Sequence, residues 1–249
     1  MQLIPQSVTL LYLTPDGVAL MEVAGRTCYA TTWKIEPGSA RKFVQMIFRR
    51  GHHTILEHCT ATFCVVCDRG VSHEFVRHRL MTFSQESTRF CNYSGDRFGK
   101  EIKVVLPPGL TEEDERDWRE AMAQSERSYL RMTDRKTPPE IARSVLPQSL
   151  KTEFVVTANL REWALFLRQR YYGLTGKPHP QMHEVATYIR NELLAKCPDV
   201  FEQVDREAKR IGLVEKILGF VKDLRDCVID PAPEIQRVKD AYNEYEELL

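Results

Sequence analysis

The chain is 249 residues long, is 43% hydrophobic, and sets 35 Lys plus Arg against 35 Asp plus Glu, for a formal charge of zero. That length suits one large domain or two small ones, and the apolar share is enough for a substantial core. The zero balance argues against a coat for nucleic acid or anionic membrane that works through bulk charge, so any anion site must be local.

In chain order, Ser7–Leu13 (SVTLLYL) reads as a strand. TPDGVALMEVAG reads as a helix start, with Thr14 as its cap and Pro15 in the first turn. SARKFVQMIFRRG is a clearer helix: Ser39 caps it, Phe43, Met46 and Ile47 form an apolar stripe, and Gly51 ends it. CTATFCVVCD alternates as a partly buried strand does, and VSHEFVRHRL after it reads as helical. EIKVVLPP is a strand closed by two prolines. TEEDERDWREAMAQSERSYLRM is a long amphipathic helix opened by Thr111 and an acidic first turn, and PEIARSVL is a short helix. LKTEFVVTAN is a strand, and Asn159 is the N-cap of the helix LREWALFLRQRYY. GLTGKPHPQ is a loop, and the rest is mostly helical as far as the acidic DAYNEYEELL. Helices and strands mix without regular alternation, which favours α+β or an irregular α/β fold over a doubly wound sheet.

Cysteines fall at Cys28, Cys59, Cys64, Cys67, Cys91, Cys197 and Cys227. An odd number without framework spacing reads as reduced thiols of an intracellular, cytoplasmic protein. MQLIPQSVTL lacks the form of a signal peptide, and no apolar stretch is long enough to span a bilayer. Gly173–Pro178 (GLTGKP) has the wrong spacing for a phosphate loop and reads as an ordinary turn; no G-x-G-x-x-G occurs, so a dinucleotide would bind outside the Rossmann scheme. His52, His53, His58, Cys59, Cys64, Cys67 and His73 are dense enough to raise metal binding. Cys64 and Cys67, however, lie three apart on one strand and so point to opposite faces; the cysteines read as structural and no metal is assigned.

The stretch FVRHRLMTFSQESTRF, Phe75 to Phe90, concentrates hydrogen-bonding groups straight after an apolar run. Basic residues at a helix end are common. On a helix, though, Arg77, His78 and Arg79 would point about 100° apart, as ligand groups serving one element would and a single solvent face would not. Gln85, Glu86, Ser87, Thr88 and Arg89 then add amide, carboxylate, hydroxyl and guanidinium groups without apolar period. Arginine forks suit phosphate oxygens and hydroxyls complete such sites, so an anion or nucleotide site is expected here.

Arg77-His78-Arg79, seven residues, then Ser87 resembles the defining motif of the flavin-dependent thymidylate synthases. GHHTILEH (Gly51–His58) resembles the segment upstream of that motif, and ARSVLP followed by TEFVVTANLREWALFLRQR resembles a later block, with order and distances in register from about Val8 to Val204. The resemblance implies helices around a mixed sheet in residues 1–204 and a homotetramer whose active sites form between subunits. It implies that dUMP receives a methylene from 5,10-methylenetetrahydrofolate, that reduced FAD supplies the reducing equivalents after NADPH has recharged it, and that tetrahydrofolate leaves. Arg77, His78 and Arg79 match flavin positions. Glu74, Phe75, Val76 and Arg77 match the border of the nucleotide. Gln85 to Arg89 (Gln85, Glu86, Ser87, Thr88, Arg89) match the loop that holds dUMP, with Gln85 also near FAD. Thr54 matches a flavin contact given by a neighbouring subunit, with His52 beside it. Asn159, Leu160 and Arg161 match a further flavin contact. Arg143 and Arg170 match dUMP contacts, Arg170 being the group that favours ionisation at uracil N3.

The residue physics agrees with that carry-over. A guanidinium near N3 stabilises the deprotonated ring and makes C5 a better nucleophile. Ser87 is assigned to the dUMP phosphate, since no nearby base would activate it. The chain departs from the pattern in four places. Ser84-Gln85 stands where many relatives have Asn-Glu, and Leu165 where some have a polar flavin contact. The loop after Tyr171 is long, which leaves His179 as a candidate flavin contact and His183 without a role. Residues 205–249 form a helical tail read as packing or subunit contact. Two other readings stay open at this point: a flavin- and nucleotide-binding homologue without catalysis, and a zinc hydrolase built on the His/Cys cluster.

Overall fold

A computed structural model describes residues 1–226 and 232–247. Cys227 and the last two residues of the acidic C-terminal segment lie outside them. The described elements are β1 (Gln2–Leu3), β2 (Ser7–Leu13), α1 (Gly17–Thr27), α2 (Ser39–Arg49), β3 (Thr60–Asp68), α3 (Arg69–Phe75), β4 (Thr82–Gln85), β5 (Lys103–Val104), α4 (Glu112–Asp134), α5 (Pro139–Ala142), β6 (Lys151–Asn159), α6 (Leu160–Arg170), α7 (Pro180–Lys196), α8 (Pro198–Asp226) and α9 (Ala232–Glu247). The fold is mixed helix and sheet, as the irregular alternation predicts. Among the described residues no helix is long and apolar enough to cross a membrane.

The frame is an antiparallel sheet in the order β2-β3-β6-β4, with Phe63 opposite Val156 and Phe83 opposite the same residue from the other side. Period-two alternation sorts its side chains. Ala61, Phe63, Val65 and Cys67 of β3 and Phe154, Val156 and Ala158 of β6 face a large core with Trp163 and Phe166 of α6 and Met182, Val185 and Ile189 of α7. Each large apolar side chain fully buried there contributes about 1.5–3 kcal/mol. Trp163 satisfies its indole N–H on the Ala61 carbonyl at 3.1 Å and meets Phe63 edge-on. The other face of the sheet carries Thr62 and Thr157, hydroxyl to hydroxyl at 2.9 Å, with Cys64 against Glu153. Cys64 and Cys67 thus lie on opposite faces. A smaller core gathers Tyr93, Ile102, Met122, Tyr129 and Leu150 under α4.

Several boundaries differ from expectation for identifiable reasons. Thr14 does not cap α1: its hydroxyl accepts the Thr60 amide at 2.9 Å and closes the sheet end, so the helix begins at Gly17 behind a left-handed Asp16. Ser39 is likewise withdrawn from capping, because its hydroxyl donates to both carboxylate oxygens of buried Glu22 at 2.7 and 2.8 Å; Gly38, with φ 84°, occupies the cap position of α2. The stripe of α2 is buried at Val44, Ile47 and Phe48, while Phe43 packs against Gly25, where a Cβ would come within 2.6 Å of its ring. β4 has no counterpart in the expected elements: four residues of mixed polarity carry too weak a pattern. EIKVVLPP yields only two strand residues. α8 runs through residue 204 unbroken, and Ala208 and Leu213 beyond it are buried.

Candidate active site

The site begins at the end of α3. Asp68 caps this helix, its carboxylate accepting the Val71 amide at 2.7 Å. The helix stops at Phe75, so Arg77, His78 and Arg79 follow it in turns rather than inside it. They still diverge, because burial sorts them. Phe75 and His78 point into the core, while Arg77 and Arg79 are exposed together with the apolar Val76 and Leu80. Phe75 stacks on Phe166 at 4.8 Å, and Phe166 presents its ring to His78 at 5.1 Å.

α6 supplies the other wall. Asn159 caps it as expected, accepting the Glu162 amide at 2.8 Å. Eleven residues later Arg170 returns to α3. One of its terminal amino groups donates to the Glu74 carboxylate at 2.8 Å, and its Nε donates to His78 Nε2 at 3.3 Å. Behind His78, its Nδ1 lies 3.4 Å from Oε1 of Glu162. His78 and Glu162 are only 5% and 4% exposed. Burial, and then the charge of Arg170, lower the His78 pKa to about 4, and burial raises that of Glu162. Arg170 is therefore a cation backed by a neutral imidazole.

Thr54 sits exposed in the short 53–58 turn and His52 exposed just before it, and Glu57 ties the turn to α6 by an ion pair with Arg161. His53 turns inward instead, packing on Phe48 at 4.4 Å, and burial lowers its pKa. Leu160 is buried, so a flavin contact from that residue would run through its backbone; the same holds for His78. Leu165 is exposed on α6.

The expected dUMP loop forms a second group. Gln85 donates to Ser72 Oγ of α3 at 3.0 Å and to Thr152 Oγ1 of β6 at 2.9 Å, so its amide locks β4 to both elements. Glu86 accepts from Tyr93 Oη at 2.9 Å and from Lys151 Nζ at 2.8 Å. Burial would lower the Lys151 pKa, but Glu86 and Glu153 outweigh it and the pKa is raised. These contacts turn Gln85 and Glu86 toward the protein. Ser87 folds its hydroxyl onto the Arg89 amide at 3.3 Å. Buried Thr88 accepts from Arg143 at 3.2 Å, while Arg143 itself is exposed after α5. Arg89 and Phe90 project outward, and a cavity of about 510 Å³ lined by Glu86, Phe90, Cys91, Tyr93 and Lys151 lies beside them.

The site residues expected from sequence therefore fall into two clusters. Arg170 with Glu74 and His78 forms the first, Ser87–Arg89 with Arg143 the second, and the Ser72–Gln85–Thr152 bonds join their supports. Glu162, Lys151, Tyr93 and Glu57 belong to these networks and were not singled out from sequence. Glu162 is the third residue after Asn159, a spacing that marks a helix start and gives no hint of burial.

Residues 9–199 match the Thy1 family, thymidylate synthase complementing protein. The chain belongs to this family. Among curated members it is 34% identical over 172 residues to the flavin-dependent thymidylate synthase of Geobacter sulfurreducens, covering 66% of this chain and 72% of that protein. It is 30% identical over 209 residues to the enzyme of the same name from Mycobacteroides abscessus, covering 76% and 80%. Among solved structures, a UMP/dUMP methylase, PolB, from Streptomyces cacaoi, bound with 5-Br dUMP, superposes with a TM-score of 0.71 at 22% identity, covering 82% of this chain and 96% of that one. The Thy1 match ends at residue 199, at the start of α8, so most of α8 and all of α9 lie beyond it.

Proposed function

We propose that the chain is a flavin-dependent thymidylate synthase. It converts dUMP, 5,10-methylenetetrahydrofolate, NADPH and a proton into dTMP, tetrahydrofolate and NADP⁺, with FAD as the intermediate carrier. Family membership and the curated names support this reading, and the observation that carries it is Arg170, a guanidinium fixed against Glu74 and His78 beside the exposed Arg77 and Arg79.

The pyrimidine of dUMP lies against Arg170 and the Glu74–Arg77 turn. Arg170 holds negative charge at N3 and its neighbouring carbonyl, which raises electron density at C5 so that C5 attacks the methylene carbon. The nucleotide phosphate takes Ser87, Arg89 and Arg143, with Gln85, Glu86 and Thr88 holding the loop in shape. No enzyme nucleophile is attached to the base. Burial pushes the thiol of Cys59 up to about 11 and that of Cys197 to about 12, the wrong direction for an activated thiolate. Cys64 and Cys67 face opposite sides of the sheet, which removes them as a shared metal pair.

The residues present fit FAD. Arg77, Arg79 and Arg161 offer forks for its pyrophosphate, Thr54, His52 and Asn159 offer hydrogen-bonding groups, and exposed Val76, Leu80 and Leu165 offer apolar surface for its ring. When bound, FAD supplies the reducing equivalents that turn the transferred methylene into a methyl group. A homotetramer is proposed with it. Leu80 is 76% exposed and Phe90 81%, large apolar side chains flanking the two clusters, as expected of surface completed by another copy of the chain. Residues 205–249 are proposed as packing and subunit contact, and the enzyme as cytoplasmic.

The test is tritium release from dUMP labelled at C5, with FAD, NADPH and methylenetetrahydrofolate present and one component omitted at a time. Release that requires all of them supports the reading. A yellow protein that binds dUMP and releases no tritium would make it a binding homologue instead.

A further inference from the structure

We propose that His78 and Glu162 are positioning residues for Arg170, together holding its guanidinium in one orientation against the pyrimidine ring. This rests on the proposed synthase activity. Arg170 Nε carries a hydrogen and no lone pair, so at 3.3 Å the facing His78 Nε2 must be the acceptor. The ring proton then sits on Nδ1, which faces Glu162 Oε1 at 3.4 Å. The other tautomer would set two N–H donors against each other at Arg170 and a lone pair toward the Glu162 carboxylate.

Burial makes the arrangement stiff. His78 and Glu162 are almost fully enclosed, and Phe166 holds the imidazole edge at 5.1 Å. The charged or titratable groups around the imidazole are Glu74 of α3, through its bond to Arg170, and Glu162 and Arg170 of α6. Glu74 engages the terminal amino groups of Arg170, at 2.8 Å through its carboxylate and 3.4 Å through its carbonyl. His78 engages the third nitrogen, Nε, and each terminal amino group keeps one further N–H. The imidazole therefore sets the plane of the guanidinium from behind, while the Glu74 side is where a nucleotide would arrive. A group whose task is to meet developing negative charge works best when its orientation is settled beforehand.

The experiment compares the FAD-loaded native enzyme with His78→Phe, His78→Gln and Glu162→Gln. It reads kcat, KM for dUMP, and N3 ionisation of bound 5-fluoro-dUMP by ultraviolet difference spectroscopy across pH. Gln restores one acceptor and a donor; Phe fills the space without either. The expected result for His78→Phe is a fall in kcat of roughly ten- to a hundred-fold, the scale on which orienting partners act. KM should stay near native, and N3 ionisation should move up by about one pH unit or more, one unit being tenfold weaker stabilisation of the ionised ring. His78→Gln should recover most of kcat, and Glu162→Gln should fall between.

Native kcat and native N3 ionisation in a folded His78→Phe enzyme would overturn the proposal. So would a loss of kcat with N3 ionisation unmoved, which marks a purely structural lesion. If His78→Phe does not fold, the near-isosteric Glu162→Gln decides by the same two readouts. A native enzyme that forms no dTMP would remove the activity reading itself, and this inference with it, whereas an active native enzyme with indifferent variants removes the inference alone.

Discussion

Arg170 and Arg143 carry the same group in opposite settings. Arg170 is 23% exposed and is gripped by Glu74 and His78, whose own partner is a buried carboxylate. Arg143 is exposed, reaches Thr88 at 3.2 Å and its own helix end at the Glu140 carbonyl, and stands after a four-residue helix. The contrast gives a physical ground for the two roles the resemblance implies, a nucleotide contact for Arg143 and ionisation at uracil N3 for Arg170. Stabilising charge that develops in a ring demands a group fixed beforehand, whereas gripping a phosphate tolerates an arm that closes on arrival. Four changes test that contrast, in falling order of effect.

Phe166→Ala should be the most damaging. Phe166 is fully buried against Phe75, Trp163 and His78, so its loss should cost about 3–5 kcal/mol. Urea unfolding would measure it, and a cost under about 1 kcal/mol would mean the Arg170 end is not rigidly backed.

Arg170→Ala should lower kcat by roughly a hundred- to a thousand-fold, the scale of losing one preorganised donor. Arg143→Ala should act mainly on KM for dUMP, by about tenfold, as expected for one charged hydrogen bond. Steady-state kinetics with both variants would sink the contrast if the two effects exchanged places.

The third change is in pH. His78 has a folded pKa of about 4 against an ordinary value of 6.5, so the unfolded chain binds the extra proton between those values. Stability from this group is complete above about pH 6.5 and is lost as pH falls toward 4, by on the order of 3 kcal/mol. Glu162, with its pKa raised by burial, titrates with the opposite sign, so the readout is the difference between native and His78→Gln across that range. Parallel curves would show that His78 titrates normally. At the smallest end, Cys64→Ser, on the sheet face away from the core, should change stability by less than about 0.5 kcal/mol and leave kcat native. A dead variant would reopen a thiol mechanism.

The sequence was informative wherever one local rule acted alone. Asn159 caps α6 and the alternation in β3 and β6 sorts core from surface, because nothing competes for those groups. Thr14 and Ser39 failed as caps because partners far along the chain, Thr60 and Glu22, took their hydroxyls. The same limit applies at the site. The resemblance named Arg77, His78 and Arg79 as equals, but the fold encloses His78 and leaves the two arginines at the surface. Gln85, read as a ligand group, spends its amide on Ser72 and Thr152. Glu162 was invisible because charge at a helix start ordinarily faces water, and only the folded chain encloses it beside His78.

The most direct measurement is a crystal structure of the enzyme with FAD and dUMP. The expected complex has the uracil N3 edge within hydrogen-bonding distance of Arg170, His78 still holding Nε from behind, and the phosphate on Ser87 and Arg143 contributed by either the same or a neighbouring subunit. A nucleotide bound with its ring away from Arg170, or an Arg170 released from His78 and pointing to solvent, would contradict it.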